Sequence, residues 1–205
     1  MRSLAFAGVL VAAAAATAAG PGGETGFVAS VLEGARECVR RAPRYDPAYV
    51  PLAYPGGDPG WERGVCTDVV IRAFRAAGVD LQVLVHEDIL ARPRAYGITA
   101  PDPSIDHRRV RNLVVFFSRH AEVLPVDGPF RPGDLVVWDL RGRGVPDHIG
   151  IVSDGTAPSS RPLVFHHFPS TGTFSGHPSE DDCLYRWRIL HHFRWIPRDA
   201  GGPGE

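Results

Sequence analysis

The sequence predicts an α+β domain, with N-terminal helices packed on a C-terminal antiparallel β-sheet. Two observations point there: apolar residues recur at three- and four-residue steps through the first half, and short Val- and Trp-rich runs divided by Gly, Pro and Asp turns fill the part after Leu124. Helix signals come first and strand signals second, without the alternation that a parallel sheet requires.

The N-terminus has the three parts of a secretory signal. Met1-Arg2-Ser3 supplies a basic start, Leu4 to Ala16 is small and apolar, and Thr17-Ala18-Ala19-Gly20-Pro21 is a small-residue exit. The apolar run falls short of the roughly 20 residues that span a bilayer. Residues 1–19 are therefore expected to be a signal peptide, cut near Ala18 or Ala19, and the mature chain to be secreted or periplasmic with no stable membrane span. The rest, about 185 residues, suits one domain with one core over residues 25–196. Residues 197–205 read as a disordered tail.

In chain order, Val28, Val31, Leu32, Ala35 and Val39 mark an amphipathic helix over Phe27–Arg41, with Thr25 or Ser30 available to cap it. Pro43 to Gly60 is dense in Pro, Gly, Tyr and Asp and reads as a long ordered loop. Val69, Val70, Ala73, Phe74 and Ala77 put a second helix over Cys66–Ala77, stopped by Gly78. Further helices are expected over Leu81–Leu90 and Arg108–His120, the latter capped by Asp106. Strands follow at Leu135–Leu140, His148–Ser153, Leu163–His167 and Arg186–Trp195.

Net charge is -1, and acidic and basic residues are interspersed, so nothing suggests nucleic acid or an anionic membrane as partner; a monomer is expected. The three cysteines are Cys38, Cys66 and Cys183, an odd number for an exported chain. Cys38 and Cys183 could pair, which would leave Cys66 as the free thiol.

Cys66 opens its helix, where unsatisfied N–H groups and the helix dipole favour a thiolate. Its own N–H can donate to an oxyanion. Such a nucleophile needs a base that the fold brings near. His148 opens a strand after the Pro146-Asp147 turn, and His166-His167 ends the next strand, where only one of the two can share a face with it.

These residues resemble a known group. Tyr54-Pro55-Gly56-Gly57, Gly64-Val65-Cys66-Thr67-Asp68 opening a helix, Arg131-Pro132-Gly133-Asp134-Leu135-Val136 and His148-Ile149-Gly150-Ile151-Val152 look like the NlpC-type branch of the papain-like peptidases. The stretch from Tyr45 to His107, with Tyr54 to Asp58, Arg63 to Val70, Leu84 to Asp88 and Ile105 to Val110, resembles the bacterial YijF-like family, domain of unknown function 1287. The resemblance implies a papain-like fold and a cysteine hydrolase with Cys66 as nucleophile, His148 as base and His166 as third residue. It implies Tyr54 as a residue that polarises the substrate carbonyl, and a peptidoglycan stem peptide as substrate. Where NlpC-type enzymes carry Asp-Cys-Ser-Gly, this chain has Val65-Cys66-Thr67-Asp68.

Other polar groups read as structural. Asp106-His107-Arg108-Arg109 is a helix cap with solvated charges, or else a clamp for substrate carboxylates. His86-Glu87-Asp88 is a polar helix face, Arg72 and Arg75 are a solvated helix side, and His191-His192 lies on a strand. The nine histidines show no His-x-x-x-His or Cys-x-x-Cys spacing, so no metal and no cofactor is expected. Two other functions remain open: an acyltransferase or thioesterase using the same Cys and His, and a non-catalytic module that binds the cell envelope.

Overall fold

The computed structural model describes residues 23–197, so the expected signal segment and residues 198–205 of the expected tail lie outside the described residues. Helix α1 (Gly23–Arg41) buries Phe27, Val31, Leu32, Ala35 and Cys38 along one face. It starts upstream of both expected caps. Thr25 and Ser30 lie within it, and the Ser30 hydroxyl donates to the Gly26 carbonyl one turn back. A two-strand parallel pair, β1 (Arg44–Tyr45) with β2 (Arg63–Gly64), ties the two ends of the Pro- and Gly-rich loop together.

Helix α2 (Cys66–Ala76) follows at once and packs along α1. The two backbones meet at Gly34, where an added Cβ would stand 2.7 Å from Ala76 Cβ and 2.8 Å from Ala73 Cα. Next come α3 (Leu81–Ala91), capped by the Asp80 carboxylate on Gln82 N–H, the short α4 (Pro93–Tyr96) and α5 (Val110–His120). The last of these begins later than expected because Asp106–Arg108 form a 3₁₀ turn. Asp106 does not cap it. Its carboxylate instead accepts the N–H of Asp102 at 2.7 Å, and Arg109 holds the cap position.

The second half is one antiparallel sheet in the order β3-β8-β4-β5-β6-β7, built from β3 (Glu122–Leu124), β4 (Leu135–Asp139), β5 (His148–Thr156), β6 (Pro162–His167), β7 (Pro178–Asp181) and β8 (Arg188–Arg194). The edge strands β3 and β7, three and four residues long, were not expected from the sequence, because they are too short to leave a two-residue period.

Alternation along the strands splits the core in two. Leu135, Val137, Ile149, Ile151, Phe165 and Phe193 face the helices and join Phe74, Phe117, Leu81 and Leu113. Val136, Trp138, Val152 and Val164 face the other way and meet Cys183 and Leu184, with the Trp138 indole N–H donating to Leu184 O at 2.9 Å. Each such buried side chain contributes about 1.5–3 kcal/mol. This division removes the suggested disulfide. Cys38 belongs to the helix-side cluster and Cys183 to the opposite one, and all three thiols are free. Among the described residues no helix is long and apolar enough to cross a membrane.

Candidate active site

Cys66 is the first residue of α2, and the backbone N–H groups of Ile149 on β5, of Thr67 and of Cys66 itself lie near enough to its thiol to lower its pKa. Register pairs between β5 and β6 begin at Ile151 with Phe165, so Ile149 lies at the open end of that ladder, on the side of the sheet that faces the helices. The nucleophile candidate thus lies near the residue next to His148. Both are enclosed, at 5% and 2% exposure. Burial pushes the Cys66 thiol up to about 12, against the lowering by the three N–H groups. Burial also holds His148 well below the ordinary imidazole range, helped by His166 and His167 nearby. The resting pair is therefore a neutral thiol and a neutral imidazole.

His148 and His166 lie on adjacent strands with side chains on the face away from the helices. His148 Nε2 stands 3.0 Å from His166 Nδ1, and the two rings are perpendicular. Among the described residues His166 is the one hydrogen-bond partner of the His148 ring, so sulfur and imidazole are not hydrogen-bonded to each other at rest. His166 Nε2 is 3.0 Å from Asp181 Oδ2 on the edge strand, and the Ser179 hydroxyl donates to that same oxygen at 2.5 Å. Phe168, Phe174 and Trp187 pack over this pair, with Phe168 stacked on Trp187 at 5.3 Å. His167 faces the helix side. It lies edge-on to Tyr45 at 5.2 Å, hydrogen-bonds Gly176 O, and is lowered to about 4 by burial.

The structure does not bring Tyr54 to this group. Its ring is 43% exposed and rests against His86 on α3. The motif it begins is a bolt for the loop. Gly56 N–H and Gly57 N–H donate to the Asp80 and Gln82 side chains, and Asp58 takes two nitrogens of Arg72, each at 2.8 Å. At Gly57 a Cβ would stand 2.2 Å from Ala53 O, so a side chain cannot be fitted there. Tyr45 comes closer to the site, its ring edge-on to His167 at 5.2 Å. Pairing of β1 with β2 sets it beside Gly64, and its phenol is pushed up to about 12, chiefly by burial. A two-residue strand has no periodicity, so only nearness to the site in space identifies it.

Several charges expected in solvent are buried. Arg72 is 5% exposed and holds the loop through Asp58. Arg108 is buried in a bidentate pair with Asp68 of α2, and the Thr67 hydroxyl donates to Arg108 O. His107 is buried beside them and lowered to about 4. Asp88 accepts from Tyr96, Arg92 and Arg119. His192 is buried between Asp134 and Pro125 O.

Among the described residues no group of three or more His, Cys, Asp or Glu could hold a metal ion. Two cavities of about 320 and 400 Å³ share Glu24, Arg131, Arg194 and Trp195, and neither is lined by Cys66 or His148.

A family model described as "Domain of unknown function (DUF1287)" matches residues 32–195. The uncharacterized protein YijF of Escherichia coli (strain K12) is 44% identical over 142 residues, 66% of this chain and 65% of its own, so the alignment spans just under two thirds of that relative. Among solved structures, NlpC2 from Trichomonas vaginalis aligns with a TM-score of 0.50 at 12% identity, covering 82% of this chain and 46% of its own. An NLP/P60-family protein similar to lipoprotein from Staphylococcus aureus subsp. aureus Mu50 aligns with a TM-score of 0.41 at 11% identity, covering 82% and 41%. This chain thus spans less than half of either structure. The fold is the papain-like one of NlpC/P60 proteins, with the helix that bears Cys66 packed on the antiparallel sheet.

Proposed function

The chain belongs to the DUF1287 family, and from that premise we propose that it is an exported cysteine hydrolase, an amidase or endopeptidase acting on cell-wall peptides. The observation that carries the reading is the thiol of Cys66 at the tip of α2, a helix packed on the strand that His148 opens, with the His148 ring held by His166.

In this reading Cys66 Sγ attacks the amide carbonyl, forming the S–C bond, while its proton passes to His148, a transfer that needs the two side chains closer than they stand at rest. The oxygen of the tetrahedral adduct is stabilised by the Cys66 N–H and by the Tyr45 phenol, which stays protonated at neutral pH. The C–N bond then breaks as His148 returns the proton to the leaving nitrogen. Water, deprotonated by the same imidazole, hydrolyses the thioester and frees the acid. Because burial keeps both partners neutral, the proton moves during the attack rather than before it. The substrate class rests on the resemblance to NlpC-type enzymes, and export on the basic, apolar and small-residue sequence of residues 1–19.

Purified peptidoglycan digested with the mature protein and with Cys66→Ala, then compared by mass spectrometry, tests this. New amine termini in the first digest alone are expected. Identical digests would exclude wall-peptide cleavage and point to small acyl substrates.

A further inference from the structure

Resting on the hydrolase reading, we propose that Asp181 is a positioning residue that fixes the tautomers of His166 and His148 and so makes Nδ1 the basic nitrogen of His148. Ionised carboxylate oxygens can only accept hydrogen bonds. Asp181 is ionised: its carboxyl is held below the usual carboxylate range, first by the bond from His166 and then by Ser179, with Arg186 close by. The His166 nitrogen 3.0 Å from Asp181 Oδ2 must therefore carry a hydrogen. In the proposed state each ring carries one proton, and His166 Nδ1 is left with a lone pair. It points at His148 Nε2 from 3.0 Å, so that nitrogen is the N–H donor of the second bond.

The chain of hydrogen bonds thus runs in one sense, from His148 to His166 to Asp181. His148 Nδ1 keeps its lone pair for the thiol proton. When it takes that proton, the Nε2–H continues to donate to His166, and no proton travels to Asp181. Were the acceptor on β7 absent, His166 could carry its proton on Nδ1 and donate to His148 Nε2, leaving His148 protonated on the wrong nitrogen. Ser179 supports the arrangement from the same strand, since its hydroxyl spends its one proton on Oδ2 and steadies the carboxylate.

The test reads the rings directly. Protein labelled with ¹⁵N-histidine is compared as wild type, Asp181→Ala and Asp181→Glu by long-range ¹H–¹⁵N correlation, with His148→Gln and His166→Gln to assign the signals. Wild type should show both rings as neutral Nε2–H tautomers. Asp181→Ala should shift His166 towards a mixture, and Asp181→Glu should restore it. In parallel, kcat should fall about ten- to a hundredfold in Asp181→Ala, a share of the roughly 10²–10⁴ that acid–base assistance supplies, with KM little changed. An Nδ1–H or doubly protonated His166 in wild type, or an unchanged pattern in Asp181→Ala, would overturn the inference. If the tautomers behave as described but Cys66→Ala leaves turnover intact, the hydrolase reading fails while the assignment to Asp181 stands.

Discussion

Arg108 closes two nitrogens on the carboxylate of Asp68, at 2.8 and 2.9 Å, with both side chains almost wholly out of water. Asp68 also accepts the N–H of Val65 at 2.7 Å, so this carboxylate ties the residue before Cys66 to a turn 40 residues away. Its charge raises the Cys66 thiol. Arg108→Ala leaves a buried carboxylate uncompensated and is expected to cost about 3–5 kcal/mol, as judged by urea unfolding. Pairing Arg108→Met with Asp68→Asn should recover more than half of the loss. If the double variant is no more stable than the single one, the pair is not what Arg108 contributes.

Tyr45 and Tyr54 give a contrasting pair. Tyr45→Phe removes the phenol proposed to hold the oxyanion and should lower kcat about 10²-fold, the scale of one lost oxyanion donor. Tyr54→Phe, at an exposed ring against His86, should leave kcat within about twofold, because surface changes of this kind rarely exceed about 0.5 kcal/mol. Equal effects would return Tyr54 to consideration. Steady-state kinetics on whichever wall fragment is released decides it.

Acid should loosen the fold. His107 and His167 are lowered to about 4 by burial, so between the ordinary imidazole value and that point the unfolded chain binds more protons than the folded one. Their contribution is complete above about pH 6.5 and is lost as pH falls towards 4. A tenfold difference in proton affinity between folded and unfolded chain is worth about 1.4 kcal/mol, and a domain of this size loses about 2–4 °C of Tm per kcal/mol, so Tm should drop by several degrees from about pH 7 to about pH 5. His107→Gln and His167→Gln should flatten the curve. A Tm that does not move over that interval would contradict their burial in neutral form.

Cys38 and Cys183 face opposite sides of the sheet and are unpaired. Dithiothreitol is therefore expected to leave Tm unchanged within about 1 °C, since a lost disulfide would cost roughly 2–5 kcal/mol. Intact mass after denaturation in excess alkylating agent should show three modified thiols, and a two-dalton deficit with one modified thiol would show the bridge.

What the sequence makes legible follows physical scale. Helices α2 and α5 and the central strands β4, β5 and β6 carry long apolar runs, and Cys66, His148 and His166 stand at the ends of those runs. Tyr45 and Asp181 lie on strands of two and four residues, where side-chain period carries no signal and only the pairing of β1 with β2 and of β7 with β6 gives them a place. The Tyr54 motif is persuasive as a string. Its glycines donate N–H groups to Asp80 and Gln82, and Gly57 leaves no room for a Cβ against Ala53 O, which anchors the loop. Arg72 and Arg108 look solvated because their carboxylate partners, Asp58 and Asp68, cannot be matched to them by spacing alone.

The coupling of Cys66 to His148 is read most simply from the rate of Cys66 alkylation by iodoacetamide as a function of pH, in wild type and in His148→Gln. Because His148 is held neutral well below the ordinary imidazole range, its base form is present across neutral pH. The wild-type rate should be nearly flat from about pH 6 to about pH 8. Without the imidazole, the reaction must await a free thiolate whose pKa is pushed up to about 12, so the variant should react about 10²-fold more slowly at about pH 7 and climb about tenfold per pH unit. Superimposable profiles for the two proteins would show that His148 does not act on this thiol.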